Sequence, residues 1–178
     1  ALSKKRALNF GVAQIGGTEH IGLAQLAKAA GMKFKVVPFG SGGEMLLALR
    51  SGAIDATLPN VSEAANMIAD GSIIPLVLLA EKRLGDYPDV RSSYELGYKV
   101  KTSTTRGYAV LASTPRPIIE ALSKNIVKAM KHEVFGNYLA TAGLSVESSV
   151  AGTDIWDKHL KEEYAKASAA LKELGIIK

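Results

Sequence analysis

Two periodicities alternate along the first eighty residues. Short runs at 8–13, 34–39, 54–58 and 73–80 are rich in β-branched and aromatic side chains and read as strands. Between them the apolar positions recur at three and four. Ile21, Leu23, Leu26, Ala27 and Ala30 make one such stripe over 19–30, and Gly31 stops it. Met45, Leu46 and Leu49 make a second over 44–51, closed by Gly52, and a third covers 61–69 and stops at Gly71. Strand and helix in repeated succession predict right-handed crossovers, and so an α/β fold with a mostly parallel sheet covered on both faces.

After residue 80 the pattern changes. The stretch 81–98 is polar and broken by Gly85, Pro88 and Gly97, which marks a linker, with a short helix expected through Ser93-Tyr94-Glu95-Leu96. A further strand is predicted at 106–113. Pro115 suits an early helical position, and a helix over 115–129 turns Ile118, Ile119, Leu122, Ile126 and Ala129 inward. A short helix at 134–142 is ended by Gly143. A last helix at 153–174 carries Trp156, Leu160, Tyr164, Ala167 and Leu171 on one stripe, with Trp156 and Tyr164 expected in the core.

Composition narrows the class. Among 178 residues 47% are hydrophobic and 22% charged, the balance of a folded globular protein. The longest apolar run, 73–80, is strand-sized and holds Pro75, too short to span a bilayer. The opening residues Ala1 to Arg6 are basic without an apolar segment behind them, so no signal peptide is read and the start looks internal. Cysteine is absent, which excludes a disulfide framework, a thiol nucleophile and a thiolate metal site. The charge of +5, with a pI near 9.3, favours solubility and the approach of anions. Lys4-Lys5-Arg6 is the only run of three basic residues and reads as a solvated face, so nucleic acid is not an expected partner.

Three strand-to-helix junctions share one chemistry. They are Ala13-Gln14-Ile15-Gly16-Gly17-Thr18-Glu19-His20, then Phe39-Gly40-Ser41-Gly42-Gly43-Glu44, then Pro59-Asn60-Val61-Ser62-Glu63. Each puts small or hydroxyl residues where a helix begins, and the first turn of a helix has backbone N–H groups without partners, which favour an anion. In a parallel sheet these junctions share the carboxyl edge of the strands. Ser41 with Glu44 and Asn60 with Glu63 also fit capping boxes, which need serve only to start a helix. Glu44 must then point back to its cap or outward, or meet a ligand ammonium group.

Other chemistries find no support. The glycines fit neither a P-loop nor a dinucleotide fingerprint. His20, His132 and His159 lie far apart without metal-ligand spacing, so no metal and no cofactor is expected. His20 reads as a partly exposed histidine that could cap a helix or touch a ligand. Asp55 could be a general base, but no nucleophile accompanies it, and a structural hydrogen-bonding role suits it better. No catalytic residue emerges.

The stretch Val37-Pro38-Phe39-Gly40-Ser41-Gly42-Gly43-Glu44, followed by Ala48-Leu49 and Gly52-Ala53-Ile54-Asp55, resembles a central segment of the tripartite tricarboxylate transporter receptors, also called Bug proteins. The likeness continues through Leu78 to Arg83, Tyr87-Pro88-Asp89-Val90, Glu95 to Tyr98, Arg106-Gly107-Tyr108-Ala109 and Thr114-Pro115. It departs at Arg91-Ser92-Ser93, where the family has a Pro-Thr step. The resemblance implies a periplasmic-binding-protein type II fold of Venus-flytrap form. Residues 1–104 would make the second lobe and 105–178 the C-terminal part of the first. The family's opening segment, with its glycine-rich first-lobe loop, would lie outside this sequence, leaving half of the clamp.

By the same resemblance the chain is a monomeric, exported periplasmic receptor, not an enzyme, that takes a small carboxylate (a di- or tricarboxylate or an acidic amino acid) and delivers it to membrane permease subunits. The expected ligand-binding residues are Gln14, Ile15, Gly16, Gly17, Thr18 and His20 in the first loop, Gly40, Ser41 and Gly42 in the second, and Asn60 and Ser62 in the third. The alternative is a ligand-sensing module that reports a metabolite to a regulator or sensor kinase.

Overall fold

A computed structural model describes residues 5–140 and 144–178. Three parallel strands form one sheet in the order β2-β1-β3: β1 Leu8–Val12, β2 Phe34–Pro38 and β3 Ala56–Thr57. The register pairs Leu8 with Phe34 through Val12 with Pro38 on one side, and Phe10 with Ala56 and Gly11 with Thr57 on the other. Between and after the strands run α1 Thr18–Ala30, α2 Gly42–Arg50 and α3 Val61–Ala69. These are the strand–helix alternations that the periodicity predicts, each displaced by only a few residues at its ends.

Local chemistry explains where the elements stop. Gly31 adopts φ 61°, and its N–H and that of Met32 close α1 on the carbonyls of Ala27 and Lys28. The apolar stripes meet over the sheet as a core of Val12, Leu23, Ala27, Met45, Leu46, Ile54, Ala64 and Leu79, each at most 6% exposed. Asp55 lies just before β3, where its carboxylate takes both Arg6 guanidinium nitrogens, at 2.5 and 2.8 Å, and the Asn9 amide at 2.8 Å. That is the structural role the sequence suggests for it. The start of β1 is thereby tied to β3.

Two predicted strands do not form. Residues 73–80 are extended, but their only pairing among the described residues is a single parallel bridge, Leu78 with Ser92. Pro75 lacks a donor, Ile74 and Leu76 are each 77% exposed, and an extended segment becomes a strand only by pairing. Residues 106–113 likewise pair with no strand among the described residues, and Tyr108 and Leu111 stand open to solvent. The short helix expected at Ser93 to Leu96 is a set of turns closed by Gly97 at φ 84° and by the Tyr98 N–H on the Ser93 carbonyl.

The chain divides into two compact units: residues up to Thr104 together with Ala170–Lys178, and Thr105–Ala169. The last nine residues thus group with the first unit, whereas the resemblance would assign them with everything after 105. The second unit holds α4 Arg116–Ala129, α5 Glu133–Ala140, α6 Val146–Ser149 and most of α7 Thr153–Glu173. The expected end of the 134–142 helix, with Gly143, lies outside the described residues, as does Lys4 of the basic run.

Packing in the second unit is thin. Trp156 is half-buried against Gly107, Arg116 joins Asp154 at 2.8 Å, and the Thr153 amide donates to Ser123 Oγ at 3.1 Å. Leu139 is its one buried hydrophobic residue among those described. The predicted inward faces are covered only in part: Ile119, Ile126, Trp156, Ala167 and Leu171 are half-buried, whereas Ile118 and Leu122 on α4, and Leu160 and Tyr164 on α7, are all more than 40% exposed. Helical periodicity marks a face that can be buried; burial itself needs a partner surface, which the described part of this unit does not supply.

Candidate functional site

Because β1, β2 and β3 run parallel, the segments that follow them share one edge of the sheet. Strand order reverses at β1, so the crevice at the switch point falls between the loop after β1 and the loop after β3. All three glycine- and hydroxyl-bearing junctions of the first unit therefore meet at this edge.

The first loop is a tight turn. The Gly17 N–H donates to the Gln14 carbonyl at 3.1 Å, and Gly16 takes φ 77°, as the third residue of a type II turn requires. Two side chains from the first turn of α1 reach back to it. Glu19 Oε2 accepts the Ala13 amide at 2.7 Å, and His20 Nδ1 accepts the Gly16 amide at 3.0 Å. The Gly16 and Gly17 amides are thus already engaged. No side chain caps α1, and the N–H groups of Gln14, Ile15 and Thr18 meet no acceptor among the described residues. Leu171 and Ile176, from the end of the chain, lie against Gly16.

His20 is 8% exposed, more buried than its sequence setting suggests. Burial pushes its imidazole pKa below the ordinary histidine value, which favours the neutral ring. With Nδ1 accepting, the ring proton sits on Nε2.

The second loop is a reciprocal cap. Ser41 Oγ accepts the Glu44 amide at 3.3 Å, and Glu44 Oε2 accepts the Gly40 amide at 2.9 Å. In the third, Glu63 Oε2 accepts the Asn60 amide at 3.2 Å while Asn60 Nδ2 donates to Glu63 Oε1 at 3.1 Å. The Glu63 carboxylate also reaches the amino end of α2, where a Cβ on Gly42 would lie 3.3 Å from Oε2. Gly40, Ser41 and Asn60 therefore do what a helix start requires. The amides of Gly42, Gly43, Val61 and Ser62 meet no acceptor among the described residues. Ser62 is exposed on the first turn of α3.

One device recurs three times: a first-turn glutamate (Glu19, Glu44, Glu63) folds back onto the amide of the preceding loop, at Ala13, Gly40 and Asn60. Two of these are legible in the sequence as capping boxes; Glu19 is not among them, although it carries the same signal of an acidic residue in the first turn. The packing of Leu171 and Ile176 on Gly16 had no local signal, since more than 150 residues separate the partners. Among the described residues no group of three or more metal-ligating side chains comes together.

The second unit contains an open groove of about 600 Å³ between α4 and the start of α7, lined by Arg116, Glu120, Lys124, Lys128 and Asp154 among others. Its charges are of both signs, and Arg116 is already paired with Glu120 and Asp154.

The family model described as "Tripartite tricarboxylate transporter family receptor" matches residues 3–176. A UPF0065 protein of Bordetella pertussis is 28% identical over 171 residues, covering 95% of this chain and 52% of that protein. Among solved structures, R. palustris Rpa4515 with adipate superposes with a TM-score of 0.80 at 20% identity, over 98% of this chain and 58% of that one. MatC (Rpa3494) from Rhodopseudomonas palustris with bound malate gives 0.75 at 20% identity, over 92% and 56%. The chain spans about half the length of the curated relatives it matches. At these identities the structural likeness speaks for the fold.

Proposed function

From a chain that belongs to the tripartite tricarboxylate transporter receptor family, we propose a solute receptor that binds a small carboxylate at the carboxyl edge of its sheet and hands it to membrane permease subunits. The supporting observation is the switch point between β1 and β3, where the open amides of Gln14, Ile15 and Thr18 meet the uncapped amino end of α1. A carboxylate there accepts hydrogen bonds from groups that otherwise face water, and the positive end of the helix dipole favours its charge. Two similar proteins, R. palustris Rpa4515 with adipate and MatC with bound malate, carry dicarboxylates. No bond is made or broken in such a role, and the protein would act by binding alone.

In this reading residues 1–104 are the second lobe and 105–178 contribute to the first, in the periplasm. Gly16, Gly17, Gly40, Ser41 and Asn60 shape the edge, and the ligand meets Gln14, Ile15, Thr18, Gly42 and Ser62. Among the described residues no helix is long and apolar enough to cross a membrane.

The test is a calorimetric titration with malate, adipate, succinate, citrate and aspartate, joined to amide chemical-shift mapping. Saturable binding of at least one acid, with shifts at Gln14, Ile15 and Thr18, supports the reading. A folded protein that takes up none of them, or shifts only elsewhere, overturns it.

A further inference from the structure

We infer that His20 is a positioning residue: through Nδ1 it holds the Gly16 amide and so sets the turn that presents the Gln14 and Ile15 amides to a ligand. The inference rests on the carboxylate-binding reading for its purpose, but its geometry stands apart from any ligand.

The turn is fixed at both ends by side chains of one helical turn. Glu19 holds the Ala13 N–H at 2.7 Å, and His20 holds the Gly16 N–H at 3.0 Å. Each of these amides belongs to a peptide plane, since the peptide bond does not rotate. The two planes between them carry the Gln14 and Ile15 N–H groups, which meet no acceptor among the described residues. Anchoring the flanking planes therefore limits the directions in which the open amides can point. Preorganised donors bind an anion without having to reorder at the moment of binding.

The imidazole suits this part better than direct contact. It is 8% exposed, and its Nδ1 lone pair is already occupied, so only Nε2–H remains. Burial favours the neutral ring that an accepting Nδ1 demands. The turn also lies against the end of α7. Gly16 sits at φ 77°, and a Cβ there would lie 3.1 Å from Leu171 Cδ2. Without His20 the Gly16 N–H is left in a partly buried place with no partner.

The experiment uses the whole chain, labelled with 15N. In the wild type a coupling through the hydrogen bond between Gly16 N and His20 Nδ1 is expected, and its absence at neutral pH overturns the inference without any variant. In His20→Phe, which keeps a flat ring and removes the acceptor, exchange of the Gly16 amide should quicken about tenfold while Leu23 stays protected. His20→Asn, whose side-chain oxygen lies near the place of Nδ1, should restore most of that protection. Malate and adipate serve as probes, and an acid that binds the wild type should weaken about tenfold in His20→Phe and recover in His20→Asn.

An unchanged Gly16 amide in His20→Phe overturns the inference. So does an accelerated Gly16 amide with unaltered affinity, because the turn would then not matter to the ligand. If the wild type binds neither probe while the Gly16 amide responds as expected, His20 still sets the turn and the carboxylate reading is what fails.

Discussion

Gly11, the fourth residue of β1, faces Ile54 so closely that a Cβ added to it would lie 2.6 Å from Ile54 Cδ1 and 2.9 Å from Met45 Cγ. The strand, the segment before β3 and the helix α2 converge on this point. Glycine in a strand interior normally weakens it, and here it permits the close approach that brings three elements together. Gly11→Ala should therefore destabilise the protein by about 1–3 kcal/mol, as overpacked cores do. Urea unfolding measures it, and a variant as stable as the wild type would show that the core yields easily at this point.

Asp55 gives a pH dependence with a definite sign. The Arg6 guanidinium, and after it the Asn9 amide, hold its carboxyl at a pKa of about 2, below the ordinary aspartate value. A depressed folded-state pKa stabilises the ionised form, so the contribution is fully present above the unfolded value and is lost as pH falls towards 2. Melting temperatures followed from pH 7 down to 2 should drop more steeply in the wild type than in Asp55→Asn. Parallel curves would mean that the pair contributes nothing to folding.

The helix starts give a local test. Ser41→Ala removes the acceptor for the Glu44 amide and should cost about 1 kcal/mol. Glu44→Gln keeps an acceptor for Gly40 and should cost less. The order of the two, read from denaturant midpoints, is the result that matters. Were Glu44→Gln the more damaging change, the carboxylate charge at the amino end of α2 would outweigh the cap.

Burial separates the two units. Leu23 is 1% exposed, and Leu23→Ala should cost about 2–5 kcal/mol. Leu122, in the predicted inward stripe of α4, is 42% exposed, so Leu122→Ala should change stability by no more than about 0.5–1 kcal/mol. Comparable losses at both positions would show that the α4 face is covered in solution.

Much of the first unit was legible because its signals are local. Periodicity marked β1, β2, β3 and α1 to α3, Gly31 and Gly71 marked stops, and the family resemblance was carried by contiguous segments such as Val37 to Glu44. The same reading misplaced 73–80 and 106–113, whose composition suits a strand but whose pairing depends on another segment. On α7 the apolar stripe predicts a core Tyr164, yet that residue is 77% exposed.

The sequence by itself determined the longer helices, the three paired strands, and where small residues and first-turn acids open the helices of the first unit, since all of these act within a few residues. Tertiary structure decided what lies opposite what. It placed β1 between β2 and β3, so that three junctions share one edge. It buried His20 on the Gly16 amide, tied Arg6 to Asp55 across 49 positions and laid Leu171 on the turn. Side-chain burial and amide occupancy are properties of neighbours in space, and a strand is one only beside another strand.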